Sequence, residues 1–160
     1  MPTIPSIAFG ELVTDTWLSD VASAINDINA EWTDVPFSAG NFTAAGSMTW
    51  TVGSGDVITN KYKVNGKTLY WIVELNATTV GGTPSNQLKI AVPTGTLKGT
   101  ANAHAWIYDN LVAGAGYVSN SSTLGSGSSS VVSIVKQDQS VFTASTDQTY
   151  VIFTLVAELN

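Results

Sequence analysis

The run Lys61-Tyr62-Lys63-Val64-Asn65-Gly66-Lys67-Thr68-Leu69-Tyr70-Trp71-Ile72-Val73-Glu74-Leu75 carries the strongest structural signal in the chain. Two β-rich arms flank Asn65-Gly66. An Asn-Gly pair accepts the positive φ angles of a type I′ turn, whose twist suits paired antiparallel strands. The pattern predicts a β-hairpin. Its second arm puts Leu69, Trp71, Val73 and Leu75 on one face and Tyr70, Ile72 and Glu74 on the other. Both faces are largely apolar, which predicts a central strand. Gly66-Lys67-Thr68 has the last letters of a phosphate loop. Position 61 is lysine where that loop needs glycine, and a hairpin surrounds it where a helix should follow, so the match is coincidental.

Working outward, residues 47–52 alternate Met48, Trp50 and Val52 on one side. Residues 57–64 set Ile58, Tyr62 and Val64 on one parity and Lys61 and Lys63 on the other. Residues 78–86 read as a long turn-rich connection. Leu88, Ile90 and Val92 then alternate and stop at Pro93. Further strands are predicted over 101–108, 115–118, 131–135 and 150–159. A turn at Asp109-Asn110, a Gly/Ser-rich loop over 119–130 and a turn over 136–140 separate them. In the last strand Tyr150, Ile152, Thr154 and Val156 alternate with Val151, Phe153, Leu155 and Ala157, again apolar on both faces. About eight strands, with turn signals roughly every 8–15 residues, predict an all-β fold with one N-terminal α-helix: an antiparallel β-sandwich, jelly-roll-like.

The helix comes first. Leu18, Val21, Ile25, Ile28 and Trp32 fall at alternating spacings of three and four, the seam of a heptad pattern, and predict a helix over about 14–32. Thr14 or Asp15 suits its N-terminal cap, and Pro36 bars its continuation. The seam either packs on the chain's own β body or joins copies of the chain. Acids at the outer positions oppose close self-packing. The predicted division is 1–36, an extended segment and an oligomerisation or anchoring helix, and 37–160, the β-sandwich domain.

Composition narrows the function classes. Charged residues make up only 11% of the 160 residues, against about a quarter in ordinary soluble domains. Ser, Thr, Asn and Gly supply the polar surface, as in an all-β protein or in a subunit that hides surface in an assembly. Residues 1–60 hold all of Glu11, Asp15, Asp20, Asp27, Glu31, Asp34 and Asp56 and no base, and the chain has no arginine. No basic patch for nucleic acid is expected. With no cysteine, there is no disulfide frame, thiol nucleophile or zinc-cysteine site. No signal peptide and no apolar run of membrane-spanning length are visible, so no membrane insertion is expected and the chain is expected to be made in a host cytoplasm.

No catalytic residue, metal ligand or cofactor site is expected. His104 is the single histidine and has no recognisable carboxylate–serine set. A polysaccharide depolymerase would need two carboxylates across a cleft. Asp56, Glu74, Asp109, Asp138, Asp147 and Glu158 sit mostly in predicted turns without such pairing. Exposed aromatics near turns can stack on sugar rings, which makes Trp106, Tyr108 and Tyr117 the ligand-binding candidates, with burial in the core as their alternative reading. The sequons at Asn41, Asn76 and Asn120 arise readily by chance in a Ser/Thr-rich chain.

Three features occur together: Tyr62-x-x-x-Gly66-Lys67-Thr68-Leu69-Tyr70-Trp71, then Leu88-x-Ile90-x-Val92-Pro93, then Phe142-Thr143-Ala144-Ser145-Thr146-Asp147-x-Thr149-Tyr150 leading into a terminal strand. In this order they resemble the small β-domains of bacteriophage virion proteins, such as tail-fibre, tail-tip or head-fibre receptor-binding domains. The resemblance covers about residues 45–160. It implies a virion protein, typically a homotrimer, that binds host-surface polysaccharide or protein and is joined to other virion proteins through an N-terminal helix or anchor. A capsid-decoration or fibre subunit without ligand binding is the alternative it leaves open. The short N-terminal region departs from the pattern of a long fibre shaft.

Overall fold

The computed structural model describes residues 15–28, 31–99, 101–120 and 128–160. The expected lead-in before residue 15 and most of the Gly/Ser-rich loop lie outside them. The described chain runs α1 (Asp15–Ile28), β1 (Thr33–Asp34), β2 (Phe42–Ala44), β3 (Met48–Thr51), β4 (Val57–Asn65), β5 (Thr68–Gly82), β6 (Leu88–Ala91), β7 (Leu97–Lys98), β8 (Asn102–Asp109), β9 (Val112–Asn120), β10 (Ser128–Ser129), β11 (Val131–Lys136) and β12 (Ser145–Glu158).

The predicted hairpin is β4–β5, with Asn65 opposite Thr68. Gly66 alone takes a positive φ, 59°. The turn is therefore centred on Gly66-Lys67 with the φ signature of type II′, one residue later than the type I′ turn expected on Asn65-Gly66. Strand β5 is central as predicted: β4 lies along one side and β12 along the other. All pairings in the main sheet are antiparallel, in the order β1-β4-β5-β12-β8-β9-β11-β6-β2, with β3 pairing the far end of β5.

That sheet curls on itself. Strands β2 and β3 follow each other through a short turn yet pair with β6 and β5, which stand far apart in the order. Phe42 meets Trp50 edge-on across that corner, ring centroids 5.6 Å apart. The result is an all-β, sandwich-like body with one helix, as the sequence predicted. The core fills from both walls: Leu69, Trp71, Val73 and Leu75 of β5 and Val151, Phe153 and Leu155 of β12 meet Leu88, Ile90, Val118, Val132 and Ile134.

Bulges explain the local departures. Between Val57 and Thr59 the register of β4 slips, so Val57 packs on the core and Ile58 faces out, reversing the expected parity. In β5, Ala77 has φ 54°. Beyond it Thr78 and Val80 point inward, so the expected connection over 78–86 is strand as far as Gly82. Thr78 is buried at this bend because it is bonded on both sides: Trp50 Nε1–H donates to its Oγ1 at 2.8 Å, and its hydroxyl donates to the Thr149 carbonyl at 2.9 Å.

Gly116, on β9 opposite Ala105, allows a close approach. A Cβ there would lie 2.3 Å from Ile107 Cδ1 and 2.6 Å from the Val135 carbonyl oxygen. Gly116→Ala is expected to lower stability by about 1–3 kcal/mol, because the backbone of β11 cannot yield as a side chain would. Urea unfolding of the two proteins checks it.

Candidate functional site

The described helix spans Asp15–Ile28, and Glu31 and Trp32, inside the expected range of 14–32, are not helical. Its seam positions Leu18 and Ile25 are 53% and 48% exposed. Trp32 is not on the helix. It stands just before β1, whose Thr33 and Asp34 pair with Tyr62 and Lys61 of β4. Sheet pairing thus begins inside the 1–36 segment, before the expected start of the β-sandwich domain at residue 37. The Trp32 ring lies 5.6 Å from the Lys61 ammonium and 5.4 Å from that of Lys63, which also lies 5.4 Å from the Tyr70 ring. Each such contact is worth about 0.5–1 kcal/mol at an exposed site.

Alternation along β8 sends Ala105, Ile107 and Asp109 inward and His104, Trp106 and Tyr108 outward. The three expected ligand-binding residues meet on this outer face, because Tyr117 of β9 stands opposite His104. They are not core residues: Trp106 is 49% exposed and Tyr108 and Tyr117 are half-buried. Tyr150 of β12, opposite Tyr108, joins them. Trp106 and Tyr108 meet edge-on at 6.2 Å between centroids, and Tyr108 and Tyr150 at 5.5 Å. Tyr108, Leu111 and Tyr150 line a hollow of about 370 Å³. Tyr150 was expected inside a central strand. Its neighbours Ile152 and Val156 also face out, 40% and 52% exposed.

The β8–β9 turn closes this end. Asn110 and Leu111 have φ 51° and 64°, the left-handed region that disfavours a leucine side chain. Leu111 and Val112 are exposed at the tip. The turn thus holds two exposed aliphatic residues, one of them in a backbone region that costs energy, directly beside the aromatic row.

Behind the tip lies a larger concavity, about 470 Å³, lined by Asp109, Ala113, Lys136, Asp138 and Thr143 among others. Its carboxylate is already committed. Asp109 accepts from Lys136 Nζ at 2.8 Å, from the Thr143 amide at 2.9 Å and from Thr143 Oγ1 at 3.1 Å. Lys136 also donates to the Val141 carbonyl and sits 5.4 Å from the Phe142 ring. The arrangement clasps the loop between β11 and β12 to the end of β8. Asp138, at the rim, is held below the ordinary carboxylate range by hydrogen bonds from the backbone and the hydroxyl of Ser140. Among the described residues no group of His, Asp and Glu is placed to hold a metal ion, and no helix is long and apolar enough to cross a membrane.

Sequence reasoning chose Trp106, Tyr108 and Tyr117 for their nearness to turn-rich segments, and the structure places all three on one outer face. It missed Tyr150, which a shared face with Tyr108 reveals only once β12 and β8 are paired. It also missed the clasp, in which Asp109 meets Lys136 and Thr143 from 27 and 34 residues away. No protein-family model matches the chain, and no curated protein and no solved structure matches it.

Proposed function

We propose that the protein is a non-enzymatic structural subunit of a bacteriophage particle, of fibre or tail-tip kind, that assembles as a homotrimer and recognises a receptor or glycan on the host surface. The observation that supports this reading is the half-exposed Trp106 ring, in an edge-on row with Tyr108 and Tyr150 on an open sheet face. Such a row takes the apolar face of a sugar ring by stacking, while short polar neighbours such as Asn102, His104 and Thr154 meet its hydroxyls. The helical segment joins the subunit to other virion proteins. A purely assembling capsid-decoration or fibre subunit is the second reading, favoured by the exposed aliphatic residues Ile152 and Val156 beside the aromatic row.

A glycan array probed with the full chain tests the first reading. Trp106→Ala is expected to weaken the best glycan about tenfold, which corresponds to about 1.4 kcal/mol and to the loss of one aromatic contact. Unchanged affinity in that variant overturns the aromatic row as the site. Failure to bind any glycan or host cell, with the protein found on purified particles, selects the second reading. Release of reducing ends from host polysaccharide, abolished by one Asp→Asn change, overturns the non-enzymatic assignment. Light scattering tests the assembly: a mass three times that of the 16.7 kDa chain is expected.

A further inference from the structure

Strands β5, β12, β8 and β9 lie side by side, and the line Glu74–Ile152–Trp106–Ala115 crosses them in direct register. Opposed residues on paired antiparallel strands point to the same face. Glu74 therefore shares the outer face with the aromatic row, and Ile152, 40% exposed, floors the space between. Strands lie about 4.8 Å apart, which sets Glu74 about 10 Å from Trp106 along that line, the span of a disaccharide and more than that of one ring.

Charge on these four strands is sparse, and all of it but one group is used. They hold four carboxylates and no lysine, and the chain has no arginine. Asp109 is held in the clasp by Lys136. Asp147 accepts from Thr79 Oγ1 at 2.9 Å. Glu158 pairs with Lys98 at 2.7 Å. Glu74, half-buried, accepts from nothing among the described residues. Lys61, diagonal to it on β4, has its ammonium over the Trp32 ring, 5.6 Å away on the β1 side.

A carboxylate is an acceptor through two oxygens, and its hydrogen bonds are the strong, charge-assisted kind. Half-buried without a donor, it leaves that capacity unmet. Neighbouring hydroxyls of a sugar ring supply two donors at once.

We infer that Glu74 is the polar end of the glycan site and makes it selective for neutral sugar chains, resting on the ligand reading above. One ring stacks on Trp106, and a later ring of the same chain donates neighbouring hydroxyls to the Glu74 carboxylate. A uronic acid, sulfate or phosphate ester in that place meets a like charge and finds no cation on the four strands.

An array of neutral trisaccharides of glucose, galactose and mannose tests it, each printed beside the same chain oxidised at C6 to the uronic acid. The full chain is expected to bind a neutral member about tenfold tighter than its acidic twin, the size of one charge-assisted hydrogen bond. Glu74→Gln keeps the shape and removes the charge. It should bring the twins to within about twofold of each other. Raising the salt concentration should also lift the acidic members toward the neutral ones in the parent, with no substitution at all. Trp106→Ala should weaken both twins alike and leave their ratio unchanged.

Acidic members bound as tightly as neutral ones by the parent overturn the inference, as does a ratio that Glu74→Gln leaves unchanged. A preference for free amino sugars over both twins, lost in Glu74→Gln, overturns it in favour of an ammonium ligand. In those three cases binding that is still lost in Trp106→Ala leaves the aromatic row standing as the site. Binding that Trp106→Ala does not change, or an array with no bound member, overturns the row and this inference together.

Discussion

Replacing Trp71 by alanine will lower stability by about 3–5 kcal/mol, the range for truncating a large aromatic residue in a closed core. Trp71 has no exposed surface and lies between β4 and β12 on the central strand. Its ring meets Phe153 edge-on at 5.3 Å, a geometry worth about 0.5–1.5 kcal/mol beyond area burial. Its Nε1–H donates to Asn60 Oδ1 at 2.8 Å, so truncation also strands a partly buried acceptor. Trp71→Phe separates these contributions. It keeps an aromatic ring beside Phe153 and removes the donor, and should cost about 1–3 kcal/mol. Guanidinium unfolding at two protein concentrations checks both values, because a contribution from the proposed assembly would depend on concentration. A Trp71→Ala loss below about 2 kcal/mol would mean that the two walls collapse around the missing ring.

Trp71 was legible from sequence because nothing interrupts the alternation on either side of it. Other positions were not, for reasons that can be named. Ile58, Ala77 and the stretch before Val151 sit at slips in strand register, and one extra residue reverses every side chain beyond it. The outward set Tyr150, Ile152 and Val156 reads as core because a two-residue period records that a face is apolar and is silent on what covers it. A face waiting for another chain and a face covered by its own chain have the same sequence signature. The heptad seam had a related ambiguity. Leu18, Val21 and Ile25 lie on the helix as expected, but Trp32 continues the spacing without continuing the helix. It serves β4 instead, because Thr33 and Asp34 have already entered the sheet.

Asp109 was invisible as a structural residue for a different reason, and its removal carries the other large expected effect. In sequence it ends an aromatic strand at a turn, where an exposed aspartate is ordinary. In the fold it is the one buried charged residue among those described, and its partners Lys136 and Thr143 lie 27 and 34 residues away. Asp109→Ala leaves the Lys136 ammonium, mostly covered, with the Val141 carbonyl as its remaining acceptor among the described residues, and leaves the Thr143 amide without its acceptor. Breaking a buried pair by deleting one member costs about 3–5 kcal/mol. With side chains still 17% and 10% accessible, some water reaches this pair, and a loss of about 2–4 kcal/mol is expected. The double variant Asp109→Ala/Lys136→Met should recover part of that loss, because its stranded charge is gone and the methionine chain still covers Phe142. Chemical denaturation of the two single variants and the double variant gives the coupling energy. Amide exchange at Thr143 should quicken in Asp109→Ala even where the global stability allows the sheet to persist, since that amide holds the β11–β12 loop against β8. Equal losses in Asp109→Ala and the double variant would show that the clasp holds the loop through the Thr143 bonds and not through the ion pair.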